Sequence, residues 1–384
     1  MMPTIPLSLY IHLPWCVQKC PYCDFNSHAL KSTLPEEAYV QALLANLQQF
    51  HEGLKGRELT SIFFGGGTPS LFSGQAVATI LNHVSTYFTM PSDIEITLEA
   101  NPGAIDEKRF VDFRSAGINR LSLGVQSMQL DKLKALGRIH DVNDVHRALR
   151  TAKKAGFNNV NIDIMYGLPK QTLAEALSDI KTVLAYEPTH FSWYQLTIEP
   201  NTAFYHKPPS LPNDDKLDDM QQAGQGLIRA HGFYQYEVSA YSLPNNQCLH
   251  NRNYWEFGDY LGVGAGAHSK LTNSDENQIV RFMQMKHPKD YMQAEKRRDL
   301  HYQMIEEPER IFEFMLNALR LTQGVPTMLF TERTLLSLTN VTPMLNTACQ
   351  QNLLSIANNY LCPTPLGKRF LNNLVSLFMP ASKK

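Results

Sequence analysis

Between residues 7 and 196 the chain repeats one phrase six times, a short β-branched or aromatic run that is usually followed by an amphipathic helical stretch. The runs are LSLYIHL (7–13), LTSIFF (59–64), IEITLEA (94–100), NRLSLGV (119–125), NVNIDIMYG (159–167) and HFSWYQL (190–196). Helices are expected after Pro35, from about Ser73 to Tyr87, from about Asp106 to Ala116, through LDKLKALG and VNDVHRALRTAKKAG, and from near Thr172. Strands that alternate with helices pair in parallel, because each crossover returns the chain to the same edge of the sheet. Six units fall short of the eight that close a full barrel. The expected fold is therefore α/β, an open partial (β/α)6 barrel whose wide mouth admits a large substrate.

Beyond about residue 200 the rhythm changes. A proline-rich loop (205–215) leads into a helix that ends near His231, and YQYEVSAYS and YLGVGAGAHSKL read as further strands with a glycine-rich turn. PERIFEFMLNALRL is a helix, and a hairpin followed by a helix opened by TPLG ends the chain. The expected division is a barrel at 1–240, a barrel extension at 241–305 and a helical, winged-helix-like unit at 306–384. A chain of 384 residues, 43% hydrophobic, is ample for this. Its net charge of -1 offers no basic field, so nucleic acid is not an expected partner. No charged leader opens the chain and no run of about 18 apolar residues interrupts it, which points to the cytoplasm.

Clustered polar residues stand at the carboxyl ends of the strands, where parallel α/β folds build their sites. They are Gly65, Gly66 and Gly67, then Glu99, Gln126 and Asp163. The loop after the first run carries Cys16, Cys20 and Cys23, half of the chain's six cysteines. Six are too few and too unevenly placed for a disulfide framework. Zinc would need a fourth ligand from His12, Asp24 or His28 to complete a tetrahedron. An iron–sulfur cluster held by three thiolates leaves one iron open to a ligand from outside the protein. Spacing alone leaves both readings standing.

The Cys-x₃-Cys-x₂-Cys spacing, with Tyr22 before the last cysteine, resembles the signature of radical S-adenosylmethionine (SAM) enzymes, and GGGTPS (65–70) resembles their glycine motif. The resemblance covers about residues 5–270. It implies a [4Fe-4S] cluster on Cys16, Cys20 and Cys23, with SAM on the open iron, and a 5′-deoxyadenosyl radical as the product of SAM cleavage. Within that superfamily the chain resembles the oxygen-independent coproporphyrinogen III oxidase group. That likeness implies SAM contacts at Tyr10, Tyr22, Gly66, Gly67, Thr68, Glu99, Gln126, Arg138 and Asp163.

Two features depart from the oxidase. Phe25 stands where the oxidase has a further cysteine, and only a short segment precedes Cys16. Both match the oxidase-like group of HemW-type haem chaperones, as does HNRNYW at 250–255. That resemblance implies haem as a third cofactor and His250 as its candidate ligand, with Cys248 second and with Tyr254 and Trp255 able to lie against a porphyrin face. It also implies haem-acceptor proteins as partners, membrane-bound respiratory ones among them. The expected function is haem binding and transfer without oxidase activity. The alternatives are the oxidase itself and a zinc-stabilised binding module.

Overall fold

A computed structural model describes residues 5–380 apart from Ile105 and Asp299. The first four residues of the N-terminal stretch read above, and the last four of the C-terminal unit, lie outside it. The six expected strands form as β1 (Leu7–Leu13), β2 (Leu59–Gly66), β3 (Glu95–Ala100), β4 (Arg120–Gln126), β5 (Asn159–Tyr166) and β6 (His190–Gln195). They pair in parallel in that order.

Side chains alternate across this sheet, as the two-residue strand period requires. Leu9, Ile11, Ile62, Phe64, Leu121 and Ile162 are fully buried in the main apolar core. The opposite face is polar. Ser8 bonds Ser61, and Asn161 bonds Ser122, Asp163 and His190. A hydrogen-bonded inner wall is what a barrel that receives polar cofactors needs, since unpaired polar groups there would each cost stability.

The helices begin where the sequence marks them. Ser73 caps α1 (Gly74–Tyr87), Asp106 caps α2 (Glu107–Ala116) and Thr172 caps α3 (Leu173–Leu184), each accepting a backbone N–H from the first turn. Thr172 and Glu175 complete a reciprocal capping box. At the end of α2, Gly117 takes φ 113°, a left-handed conformation that favours glycine.

The sheet is larger than six strands. β7 (Tyr234–Gln235) and β8 (Ala240–Ser242) extend it antiparallel beyond β6. At the other edge β9 (Asp259–Val263) lies parallel to β1 as a seventh parallel strand, and an antiparallel run of β10 (His268–Asn273), β11 (Gln278–Met283) and β12 (Gln303–Met304) continues from it. The stretch YLGVGAGAHSKL thus supplies two strands, split by Gly264 and Gly266 at φ 104° and 79°.

The C-terminal unit consists of α4 (Glu307–Ala318), α5 (Thr327–Thr334), α6 (Thr342–Gln350), a small sheet of Val325–Pro326, Leu354–Ala357 and Tyr360–Pro363, and, where one terminal helix was expected, two short ones at Pro365–Arg369 and Leu371–Ser376 that break at Phe370. Its core, with Phe314, Phe330, Leu345 and Leu361, also takes in Tyr236, Phe257 and Ile279 from the barrel side. The wing therefore shares its apolar interior with the extended sheet.

Candidate functional site

A cavity of about 360 Å³ opens at the carboxyl ends of the parallel strands. Cys16, Cys20 and Cys23 line one side, all three unpaired and half-buried. Among the described residues no three His, Cys, Asp or Glu side chains stand close enough to hold a single metal ion. The three thiols nevertheless line one cavity together.

The glycine turn is stitched to the cysteine loop through the backbone. Gly67 N–H donates to Leu13 O at 2.9 Å and Thr68 N–H to Trp15 O at 2.7 Å. A Cβ at Gly67 would meet Trp15 O at 2.5 Å, and one at Gly66 would meet the His12 ring at 2.5 Å, so neither position has room for a side chain. Gly66 N–H donates to Glu99 Oε2 at 3.2 Å. Backbone donors and two strand loops thus converge on one spot.

Glu99 and Asp163 share the far wall. Burial first, and then the Asp163 charge, push Glu99 up to about 7, while the Gly66 hydrogen bond acts against the rise. Burial also raises Asp163, and its bonds from Asn161, Ser192 and Ser122 oppose this. Two acceptors held together against their own ionisation are poised for hydroxyl or ammonium donors.

Arg138 reaches across the mouth. Its guanidinium donates to Gly124 O at 2.9 Å, to Cys20 Sγ at 3.6 Å and to Tyr22 Oη at 3.5 Å. Its buried Nε has no partner, so a fork of fixed charge stands ready for a carboxylate. Gln126 sits at a β-bulge with φ 71° and receives Tyr194 Oη–H on Oε1 at 2.8 Å.

Sequence reading placed Tyr22, Gly66, Gly67, Thr68, Glu99, Gln126, Arg138 and Asp163 at the site, and all eight line this one cavity with the three cysteines. Tyr10 lies behind it, lining an adjoining cavity of about 470 Å³ that also borders Gly66 and Glu99. Ser122, Ser192 and Tyr194 were missed. Alternation along HFSWYQ carried the signal for two of them, since Ser192 and Tyr194 share the inward face with His190.

His250 lines a smaller, deeper cavity of about 250 Å³ that shares Glu99, Ser122, Asp163 and Ser192 with this cleft. It is 1% exposed, with Nδ1 bonded to Ser61 Oγ and Nε2 to Tyr254 Oη, both at 2.9 Å. Burial and the Arg120 charge push its pKa down to about 3. Its ring stacks on Phe63 at 5.0 Å, and its N–H donates to Glu95, which also receives Leu249 N–H and Cys248 Sγ. Glu95 thus anchors the start of the helix Leu249–Trp255 inside the barrel. Cys248 is fully buried, its thiol pushed up to about 12 chiefly by that burial. Asn253 of the same motif donates to Asp259 O at 2.8 Å and locks the helix to β9. In this arrangement His250 and Asn253 of HNRNYW brace the barrel, and both ring nitrogens of His250 already have protein partners.

An open parallel barrel, three unpaired thiols on the first loop and a glycine turn beside them define a radical SAM scaffold. The sequence agrees, matching the Radical SAM superfamily model over residues 10–183 and the HemN C-terminal domain model over residues 305–370. The haem chaperone HemW of Escherichia coli is 48% identical over 382 residues, spanning 99% of this chain and 100% of its own, and that of Haemophilus influenzae is 48% identical over 385 residues, spanning 98% and 99%. The coproporphyrinogen III oxidase HemN of Escherichia coli superposes with a TM-score of 0.82 over 98% of this chain and 90% of its own, at 22% identity, and so shares the fold. The chain belongs to the HemW family.

Proposed function

We propose that this chain is a haem chaperone on a radical SAM scaffold. It carries a [4Fe-4S] cluster on Cys16, Cys20 and Cys23, binds SAM in the cleft beside them, and binds haem for delivery to haem-dependent proteins. The observation that carries this reading is the near-complete, 48%-identical alignment with HemW chaperones, against a likeness to the oxidase that is one of fold. Phe25, 61% exposed where the oxidase has a further thiol, supports it.

A bound cluster supplies an electron to the SAM sulfonium, and the chain's own residues hold and orient the ligands. The Gly66–Thr68 turn receives the amino group of SAM, Arg138 pairs with its carboxylate, and Glu99 and Asp163 accept from its hydroxyls. Tyr10, Tyr22 and Gln126 close the walls. We place this activity in the cytoplasm; among the described residues no helix is long and apolar enough to cross a membrane. The acceptors include membrane-bound respiratory proteins that use haem.

The intact cleft favours a second reading, oxygen-independent coproporphyrinogen III oxidase. One anaerobic experiment separates the two. Reconstituted protein is titrated with haemin and, in parallel, incubated with coproporphyrinogen III, SAM and a reductant. The chaperone reading expects saturation near one haemin and no protoporphyrinogen. Turnover of coproporphyrinogen without saturable haemin binding would replace it with the oxidase.

A further inference from the structure

The 470 Å³ cavity beside the SAM cleft has a size suited to a cofactor and an aromatic lining that includes Phe25, Trp255, Phe257 and Tyr260. It meets the SAM cleft at Gly66 and Glu99, which line both. The glycine-rich turn between β9 and β10 brings the two together. Asn26 of the cysteine loop donates to Ala265 O at 2.8 Å and to Lys286 O at 2.9 Å, and a Cβ on Gly266 would strike its amide at 2.3 Å. The turn packs this closely, and His268 follows it as the first residue of β10.

Three histidines stand in or near this space, and their states differ. His12 is 5% exposed with its nitrogens bonded to Tyr10 Oη and Asn26 O, both at 3.0 Å. His250 does not line this cavity; its Nε2 bonds Tyr254 Oη at 2.9 Å, and it borders the separate 250 Å³ cavity instead. His268 lines the cavity and is exposed; its backbone pairs with Met283, and its imidazole has no hydrogen-bond partner among the described residues. The two cations on the same wall are already engaged, Lys270 with Asp259 at 3.1 Å and Arg281 with Glu313 at 2.6 Å. Among the three histidines this leaves the His268 imidazole without a side-chain partner, on a lining that combines Phe25, Trp255, Phe257 and Tyr260 with the polar Asn26, Glu99 and Asn317. Burial, followed by the charges of Arg281 and Lys286, holds the His268 pKa below its usual value, so the ring is neutral with a lone pair to give.

We propose that the haem seats in this cavity with its iron on His268 and its ring against Trp255 and Phe25, one wall away from the SAM cleft. The inference rests on the haem-binding reading and assigns the axial ligand to a residue outside HNRNYW. The motif's role becomes architectural: His250 and Asn253 fix the helix from which Trp255 reaches the cavity.

The test uses full-length reconstituted protein and two probes, haemin and metal-free protoporphyrin IX. The metal-free ring needs no axial ligand, whereas haemin does. His268→Ala should weaken haemin at least about tenfold, the scale of losing a metal-tuning contact, shift its Soret band, and leave protoporphyrin affinity unchanged, with added imidazole restoring the band. His250→Gln should keep the haemin spectrum. Loss of both probes in His268→Ala, or haemin binding unaltered in it, overturns the assignment while leaving haem binding intact. The reverse pattern, with His250→Gln alone losing the spectrum, overturns it in favour of the motif. Parent protein that binds neither probe refutes the haem reading itself.

Discussion

Glu99 is the residue at which the cost of the proposed SAM site can be read as stability. Its carboxyl titrates near 4.5 when free and near 7 here, with burial and Asp163 as the leading causes. Between these values the folded chain holds a proton that the unfolded chain has released. The contribution of Glu99 to stability is therefore fully present below pH 4.5, falls as pH rises, and is lost above pH 7. The gap corresponds to about 3 kcal/mol as an upper bound, because the carboxylate borders water in the cleft. Glu99→Gln keeps an acceptor for Gly66 N–H and removes the charge. In urea unfolding under nitrogen, the variant should match the parent near pH 4.5 and exceed it by up to about 3 kcal/mol at pH 8. Its SAM affinity should fall at the same time, since the proposed site uses this acceptor for the ligand. A variant equally stable relative to the parent at both pH values would refute the argument, and so would one destabilised only at pH 8.

Replacing Cys16, Cys20 or Cys23 by Ser should lower iron and acid-labile sulfide together, with zinc unchanged; zinc near one equivalent in the parent would favour the zinc-stabilised module instead. Gly67→Ala drives a Cβ to 2.5 Å from Trp15 O, so equilibrium dialysis should show SAM binding abolished while the far-UV circular dichroism is kept. Arg138→Lys cannot reproduce the planar fork, and SAM should bind about tenfold more weakly in it. Glu95→Ala removes the acceptor of the Leu249 and His250 N–H groups at the start of the Leu249–Trp255 helix and leaves Arg120 buried without that acid; calorimetry should find a destabilisation of about 3–5 kcal/mol.

The legible parts of this chain are those encoded over a few residues. The six strands, the caps at Ser73, Asp106 and Thr172, and the cysteine spacing each depend on neighbours close along the chain. The eight cleft residues beside the cysteines were legible because strand ends and family spacing mark them. What escaped depends on contacts between distant segments. β9 pairs with β1 across some 250 residues, and nothing within DYLGV states that it joins that edge in parallel. His250 reads as a free imidazole in HNRNYW until Ser61, 189 positions earlier, and Glu95 are seen to bind it into the barrel. His268 gave no local signal, because the aromatic residues it meets across the cavity, Phe25 and Trp255 among them, lie far from it or on another element of the chain.

The most direct test of the account is the stoichiometry and fate of haem on the anaerobically reconstituted protein, followed by absorption during titration with haemin and then on mixing with an apo-form haem acceptor. The account expects saturation near one equivalent and a Soret band that moves to the acceptor. A band that never saturates, or one that stays with this chain whatever acceptor is offered, would contradict it.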